Sequence, residues 1–269
     1  MKIIVLGCGG SAGVPMIGGK DGCGEWGACD PLEKRNIRSR SSILFQMNNG
    51  LSVLIDTTPD LRQQFLTNGI TRCDAVIYTH AHADHIGGVD DLRAINRLTQ
   101  KPIRVYGTET VLKELQQRFG YVFKAWMSFN LPCDLPRASL EAVPVSMGSI
   151  TFIEGIPFTL FEQNHGSIFS TGIRCGVFAY STDVVDLSDK SLALLQGVHV
   201  WMVDCFQREA HTTHAWLERV LEWRQIIRPH RMILTHMGVD MDWCWLQNNL
   251  PQGVEAAYDG MMFDVADPI

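Results

Sequence analysis

The sequence lacks Cys-x-x-Cys pairs and any compact cluster of cysteines spaced like a disulfide framework, although it contains 8 cysteines in 269 residues. Several of these cysteines stand in apolar runs, where a free thiol behaves as a small hydrophobic side chain. The sequence also has no run of apolar residues long enough to cross a bilayer. Before Cys8 it has no signal-peptide core of about 7–15 apolar residues. We therefore expect a reducing, cytoplasmic location and no association with a membrane.

Positive charge is in the minority, since 23 Lys and Arg residues face 29 Asp and Glu residues and the formal net charge is −6. This balance argues against broad attraction to nucleic acid, and we expect no stable nucleic-acid complex. A local cluster of Arg35, Arg38 and Arg40 could still help an anionic substrate to dock, or could form a solvated turn. No linker or repeat divides the chain, so we predict one domain over residues 1–269, with 46% hydrophobic residues to fill its core.

The richest feature is the segment Thr79-His80-Ala81-His82-Ala83-Asp84-His85, which follows an apolar, strand-like run at residues 73–78. Three imidazoles and a carboxylate in six positions are costly to bury without a partner, and a divalent cation is their natural partner. On an extended segment His80 and His82 point the same way, whereas Asp84 and His85 face a neighbouring position. The alternative is a solvated, histidine-rich loop.

Three further residues of metal-ligand type stand where apolar runs stop. His165 follows the run 158–164, Asp183 follows 177–182 and His236 follows 231–235. Sites built on a rigid sheet commonly take their side chains from strand ends. Each residue alone could be a cap or a hydrogen-bonded core residue, but together they complete seven ligands for a centre of two metals.

This signature resembles the metallo-β-lactamase superfamily of binuclear zinc hydrolases, and the likeness extends over nearly the whole chain. The glycine-rich opening Gly7–Pro15, the stretch from Leu54 to Arg62 and the closing Ala257–Met261 are similar to one branch of it. That branch contains the phosphoribosyl cyclic phosphate phosphodiesterase and neighbours the transfer-RNA 3′-processing endonucleases. The resemblance implies a four-layer αββα sandwich of the α/β (α+β) class, and the order of hairpins and strand–helix units fits it.

The resemblance also implies how the ligands are divided between two divalent cations, zinc in the first place, with manganese or iron as alternatives. His80, His82 and His165 would hold one ion, Asp84, His85 and His236 the other, and Asp183 would bridge both. Asp84 is counted as catalytic as well as a ligand. Two such ions about 3.5–4 Å apart could share an activated hydroxide.

Two histidines and one carboxylate are candidates for supporting roles. His214, which we place just inside a helix over residues 213–223, matches a histidine that approaches the substrate phosphate in the resembling enzymes, as general acid or phosphate ligand. His211 is a second substrate-binding candidate, or a surface residue at the start of the helix. Asp56 could accept a ring N–H from a metal-bound histidine, or could cap the helix predicted from Pro59 to Thr67.

In one loop the chain departs from its resembling relatives, many of which carry Cys-x-Cys-x-x-Cys and a later histidine for a structural zinc. Here the loop has Cys23 and Cys29 with five residues between them, and Val239 stands where that histidine would be. We expect no structural zinc, although Cys8 could join the two thiols.

Three functions remain open from the sequence. The first is a phosphodiesterase acting on a small cyclic phosphate or a nucleotide-like phosphodiester, so that its partner is a small phosphorylated substrate. The second is another hydrolase with the same centre, such as a ribonuclease, lactonase or thioesterase. The third is a non-hydrolytic binding or cofactor-biosynthesis protein. A homodimer is expected from the resemblance alone.

Overall fold

The computed structural model describes residues 1–99, 101–124 and 139–268. Within these residues two seven-stranded mixed sheets are found. The strands of the first sheet are β1 (Lys2–Gly7), β2 (Ser42–Gln46), β3 (Ser52–Ile55), β4 (Ala75–Ile77), β5 (Ile103–Gly107), β6 (Leu140–Pro144) and β14 (Met262–Asp264). Their order in space is β14-β1-β2-β3-β4-β5-β6, antiparallel from β14 to β3 and parallel from β3 to β6.

The second sheet has the same plan. Its strands are β7 (Ile150–Ile153), β8 (Ile156–His165), β9 (Ile168–Cys175), β10 (Phe178–Ser181), β11 (Val200–Asp204), β12 (Arg231–Thr235) and β13 (Val254–Ala256). The order is β13-β12-β11-β10-β9-β8-β7, antiparallel from β7 to β10 and parallel from β10 to β13.

The two sheets pack face to face. Ile43 and Phe45 of β2 belong to the core between the sheets, and the Phe45 ring meets Phe158 and Phe178 edge-on at 5.4 and 5.5 Å. Leu44, which points to the other face, lies in a second core beneath the helices. Because both faces are covered, these strands read as continuous apolar runs rather than as alternating ones.

Helices cover both outer faces and complete the predicted αββα sandwich. They are α1 (Leu61–Thr67), α2 (Ala83–Ile86), α3 (Leu92–Thr99), α4 (Glu109–Arg118), α5 (Asp189–Leu195), α6 (Leu217–Ile227) and α7 (Trp243–Asn249). The predicted helix after Thr108 is confirmed as α4, with Thr108 as its N-cap. Among the described residues no helix has the length and apolar character needed to cross a bilayer.

Two predicted helix starts are wrong. Helix α1 begins at Leu61 rather than at Pro59, because the Thr58 hydroxyl accepts a bond from the Asp60 amide and holds a turn there. Helix α6 begins at Leu217 rather than at residue 213, and His214 therefore lies in the preceding turn. Of the aromatic residues in the segment after α4, Trp126 and Phe129 lie outside the described residues.

Candidate metal centre

The structure brings all seven predicted ligands together at the carboxyl ends of strands β4, β8, β10 and β12. They form two groups that share Asp183, and within each group the candidate ligand atoms lie within 4.8 Å of one another. The groups are His80, His82, His165 and Asp183, and Asp84, His85, Asp183 and His236. This is the division that the resemblance implies.

Asp183 faces both groups with different oxygens. Its Oδ1 lies 3.8 Å from Nε2 of His80 and 3.5 Å from Nε2 of His165. Its Oδ2 lies 3.0 Å from Nε2 of His85 and 3.4 Å from Nε2 of His236. One carboxylate is thus placed to bridge two cations, one oxygen to each.

The backbone of the motif separates the two groups. His82 is extended and directly precedes α2, whose first turn carries Asp84 and His85. Oδ2 of Asp84 lies 3.2 Å from Nε2 of His85 and 3.8 Å from Nε2 of His236. The switch from extended chain to helix therefore directs His82 to one group and His85 to the other.

Three residues of the site have left-handed backbone conformations that non-glycine residues rarely adopt. Asp56, Asp183 and His236 have φ values of 62°, 53° and 56°, and each lies one or two residues after the end of a strand. Such a conformation costs about 1–3 kcal/mol and persists where the surrounding structure enforces it, commonly at functional sites.

The residues fit divalent cations. Nε2 of His80, His85 and His236 are buried and have no hydrogen-bond partner, although carboxylate oxygens lie nearby. Nδ1 of His165 lies 2.7 Å from the Thr213 carbonyl, which only accepts, so Nδ1 carries the proton and Nε2 keeps its lone pair for the site. Unpaired nitrogens that converge on carboxylates are what a metal site requires.

Asp56 lies directly behind one proposed ligand. Its Oδ2 is 2.7 Å from Nδ1 of His85 and also accepts the Thr79 hydroxyl, while Oδ1 accepts the Thr79 amide. The helix-cap interpretation is wrong, because α1 begins after Asp60 and the carboxylate of Asp56 is taken up by these three bonds. The arrangement fixes which nitrogen of His85 faces the centre.

The carboxylates and imidazoles of the site shift one another's pKa values. Burial opposes ionisation of Asp183, but His236 and His85 hold the pKa of its carboxyl well below the usual value. Burial alone would lower the pKa of His236, yet Asp183 and Asp84 raise it to about 9. Burial lowers the pKa of His80.

His214 approaches this centre from a turn, not from a helix. Its Nδ1 lies 2.9 Å from Oδ2 of the buried Asp204 and 4.0 Å from Oδ1 of Asp183. Its ring stacks on His236 at 4.7 Å and on Phe206 at 4.9 Å. The prediction that His214 lies just inside a helix is therefore wrong, and the ring is held by Asp204 and the two stacked rings instead.

The side chain of His211 bonds to the backbone of its own turn. Its Nδ1 lies 3.3 Å from the amides of Thr213 and His214, so the imidazole caps the turn that carries His214. Burial and the neighbouring His214 lower the pKa of His211. Helix α6 begins later than predicted because Trp216 is extended and pairs with Gln207, and the Ala215 carbonyl accepts the Phe206 amide.

Sequence reasoning missed Asp204 and Phe206. Asp204 is the last residue of β11, and it ends a strand just as Asp183 and His236 follow theirs. The same strand-end signal could have found Asp204. Phe206 carried no such signal, because its contacts with the rings of His214 and His236 depend on how the loop after β11 folds and packs against the loop after β12.

The expected arginine cluster does not form a common surface. Arg35 pairs with Glu33, Arg40 pairs with Asp60, and Arg38 is buried. The interpretation of Arg38 as part of a solvated turn is wrong.

The three cysteines near the first loop lie apart. Cys8 is buried and bonds to Asp259, Cys29 is buried beside Arg38, and Cys23 is exposed. Among residues 1–99, 101–124 and 139–268, no cluster of metal-ligand type includes a cysteine.

The fold and the two ligand groups define a metal-dependent hydrolase of the metallo-β-lactamase type. A family model described as a beta-lactamase superfamily domain matches residues 52–237, and the chain belongs to this superfamily. The superfamily predicted from the His80–His85 signature is thereby confirmed.

Three known proteins show the likeness in detail. A crystal structure of a new diphosphatase from the PhnP family has 30% sequence identity and a TM-score of 0.88, covering 100% of this chain and 99% of its own. Zn²⁺-bound PqqB from Methylobacterium extorquens has 18% identity and a TM-score of 0.74, covering 98% and 100%, and shows the fold alone. An octanoyltransferase from Porphyromonas gingivalis (strain ATCC BAA-308 / W83) is 30% identical over 265 residues. That alignment covers 97% of this chain and 51% of the relative, so the chain spans about half of its length.

Proposed function

We propose that this chain is a binuclear phosphodiesterase that hydrolyses a small cyclic phosphate or a nucleotide-like phosphodiester. The placement of Asp183 between the two ligand groups carries the proposal. Oxygen ligands suit cations that must also bind phosphate oxygens, and a shared carboxylate keeps two such cations close together. The likeness to a diphosphatase over the full chain supports phosphorus–oxygen bond cleavage.

His80, His82 and His165 would hold one divalent cation, and Asp84, His85 and His236 the other, with zinc as the first candidate. When bound, the pair would polarise phosphoryl oxygens and make water a nucleophile near neutral pH. Of the two ligand carboxylates Asp84 is the more exposed, at 11% against 2% for Asp183. We therefore assign it the additional task of accepting a proton from the attacking water.

His214 would protonate the leaving oxygen. Oδ2 of Asp204 accepts the Nδ1 proton of His214, which leaves Nε2–H as the donor toward substrate. The stacked rings of Phe206 and His236 limit its rotation. His211 would act indirectly, by capping the turn that presents His214.

A hydrolysis screen of metal-loaded protein tests this proposal. The phosphorus panel contains bis(p-nitrophenyl) phosphate, cyclic nucleotides, cyclic ribose phosphates and nucleotide diphosphate esters. We expect turnover on this panel, and we expect His214→Ala to retain both metals while losing about 10²–10⁴ in rate. Hydrolysis confined to carbon esters would overturn the assignment as a phosphodiesterase. An unchanged rate in metal-replete His214→Ala would overturn the role of His214 as proton donor.

A second candidate is hydrolysis of an acyl ester or thioester. The observation that favours it is the similarity to half of a protein named for octanoyl transfer. Octanoyl thioesters and lactones therefore form the comparison panel in the same screen. Turnover on these compounds without turnover on phosphodiesters would select this candidate.

The expected homodimer stays a prediction that sedimentation of the purified protein would test.

A further inference from the structure

The guanidinium of Arg38 is buried deep in the protein, with 1% of the residue exposed. It is among the largest fully buried side chains of the described residues. A buried, permanently charged group is costly unless hydrogen bonds satisfy it, so its partners show what holds it there.

These partners lie mainly on the segment that begins with His236, which we define as residues 236–243. Nη2 of Arg38 donates to the Met241 carbonyl at 2.6 Å, and Nη1 lies 3.4 Å from the Gly238 carbonyl. Nη2 also lies 3.2 Å from the Asn36 side-chain oxygen. Arg38 therefore joins two parts of the chain that are 200 residues apart in sequence.

Asn36 extends the same connection. Its side-chain oxygen accepts the Trp243 amide at 2.8 Å, and its side-chain nitrogen donates to Asp242 at 2.8 Å. The side chains of Asn36 and Arg38 thus bind the loop from Cys8 to Arg38 to the C-terminal part of the 236–243 segment. Near the other end, backbone bonds join Met237 to Cys8 and Gly10.

His236 needs such support more than the other buried proposed ligands. Nδ1 of His85 is held by Asp56 and Nδ1 of His165 faces the Thr213 carbonyl, whereas Nδ1 of His236 has no hydrogen-bond partner. His236 also has the left-handed φ of 56°, which its own sequence does not favour. Oδ1 of Asp204 lies 3.8 Å from Nδ1 of His236, and the position of the ring otherwise comes from the backbone of its segment and from ring stacking.

We propose that Arg38 is a positioning residue for the second metal position, because it locks the segment that delivers His236. The proposal rests on the assignment of His236 as a ligand under the proposed function. The buried guanidinium of Arg38 belongs to neither ligand group. It controls the metal affinity of one position and leaves that of the other unchanged.

Zinc binding to purified Arg38→Met and Arg38→Lys, titrated against a chromophoric chelator, tests this proposal. Lysine keeps the positive charge but cannot reach the Met241 and Gly238 carbonyls together. If Arg38→Met does not fold, Arg38→Lys still tests the proposal. Arg40→Met is the matched control, since Arg40 lies in the same loop but pairs with Asp60 of the α1 region. His236→Ala defines the loss of the second position.

In variants with native circular dichroism, we expect one of the two zinc equivalents to bind about tenfold or more weakly, as in His236→Ala, and the other to stay unchanged. Arg40→Met should bind both as the wild type does. Two wild-type affinities in a folded Arg38 variant would overturn the proposal. A wild-type protein that binds only one ion would contradict the proposed function itself, and the positioning role with it.

Discussion

Nδ1 of His214 lies 2.9 Å from Oδ2 of Asp204, and Oδ1 of the same carboxylate lies 3.8 Å from Nδ1 of His236. Asp204 is fully buried and also accepts the Val184 amide. One carboxylate at the end of β11 therefore stands behind both the proposed proton donor and a proposed metal ligand. This relationship gives Asp204 a measurable role in turnover.

We expect Asp204→Asn to keep both metals and to lose about 10²–10⁴ in turnover, because the neutral carboxamide removes the negative charge that lies beside the proton-donating ring of His214. Turnover, metal content and the pH–rate profile of the variant are the measurements. Glu209→Gln, at an exposed carboxylate nearby, is the control. An unaltered rate and pH profile in Asp204→Asn would remove Asp204 from the mechanism.

Replacing Asp56 by Asn should weaken metal binding by about 10–100-fold, since the carboxylate orients His85 from behind. Asparagine tolerates the left-handed φ of 62° better than most residues, so the fold should be retained. Chelator competition measures the affinity, and Asp60→Asn serves as the control. Equal affinities in Asp56→Asn and wild type would show that the bond to His85 is only structural.

A methyl group at Gly10 should disturb the ring stack. Its Cβ would lie 2.7 Å from Cε2 of Phe206, which is too close, and Phe206 stacks on His214. We expect Gly10→Ala to reduce turnover by about 10- to 100-fold with metal content unchanged. Gly120→Ala is the matched control, because a Cβ there meets nothing within 4 Å. If both variants turn over like the wild type, the Phe206 stack does not position His214.

Asp259 should make stability depend on pH. Burial raises its pKa from 3.8 to about 6, although Ser39 and Cys8 donate hydrogen bonds to it. Because its folded pKa lies above the unfolded one, the folded state binds more protons between about pH 4 and 6. Its contribution to stability therefore falls as pH rises through that window, by about 3 kcal/mol in all.

Urea unfolding of metal-free wild type and Asp259→Asn at pH 4, 5, 6 and 7 measures this effect. The difference in free energy of unfolding, wild type minus variant, should decrease from pH 4 to 6 and then stay constant, because other titrating groups cancel. A difference that is flat, or that rises, over pH 4–6 would contradict the raised pKa.

The proposed metal ligands could be picked out from the sequence because they follow local rules. Strand ends such as those before His80 and His236 are visible as apolar runs that stop at a ligand-type residue. The four-layer arrangement was implied by the resemblance to the superfamily, and the order of hairpins and strand–helix units fitted it.

Other features depend on contacts between distant parts of the chain and were not visible. Arg38 reads as a surface arginine until the 236–243 segment folds over it. Helix α6 starts later than predicted because Trp216 is extended and pairs with Gln207 on the other side of the loop. The left-handed φ values of Asp183 and His236 also have no sequence signal, since glycine would be expected there.

The central claim is that two divalent cations share Asp183, and the metal content of wild type and Asp183→Asn tests it most directly. Asparagine suits the φ of 53° and should preserve the fold. After loading and removal of free metal, elemental analysis should find about two ions per wild-type chain, and manganese-loaded protein should show spin coupling between them. Asp183→Asn should lose the coupling and at least one ion. A wild type with a single uncoupled ion, or an Asp183→Asn protein that keeps a coupled pair, would contradict the account.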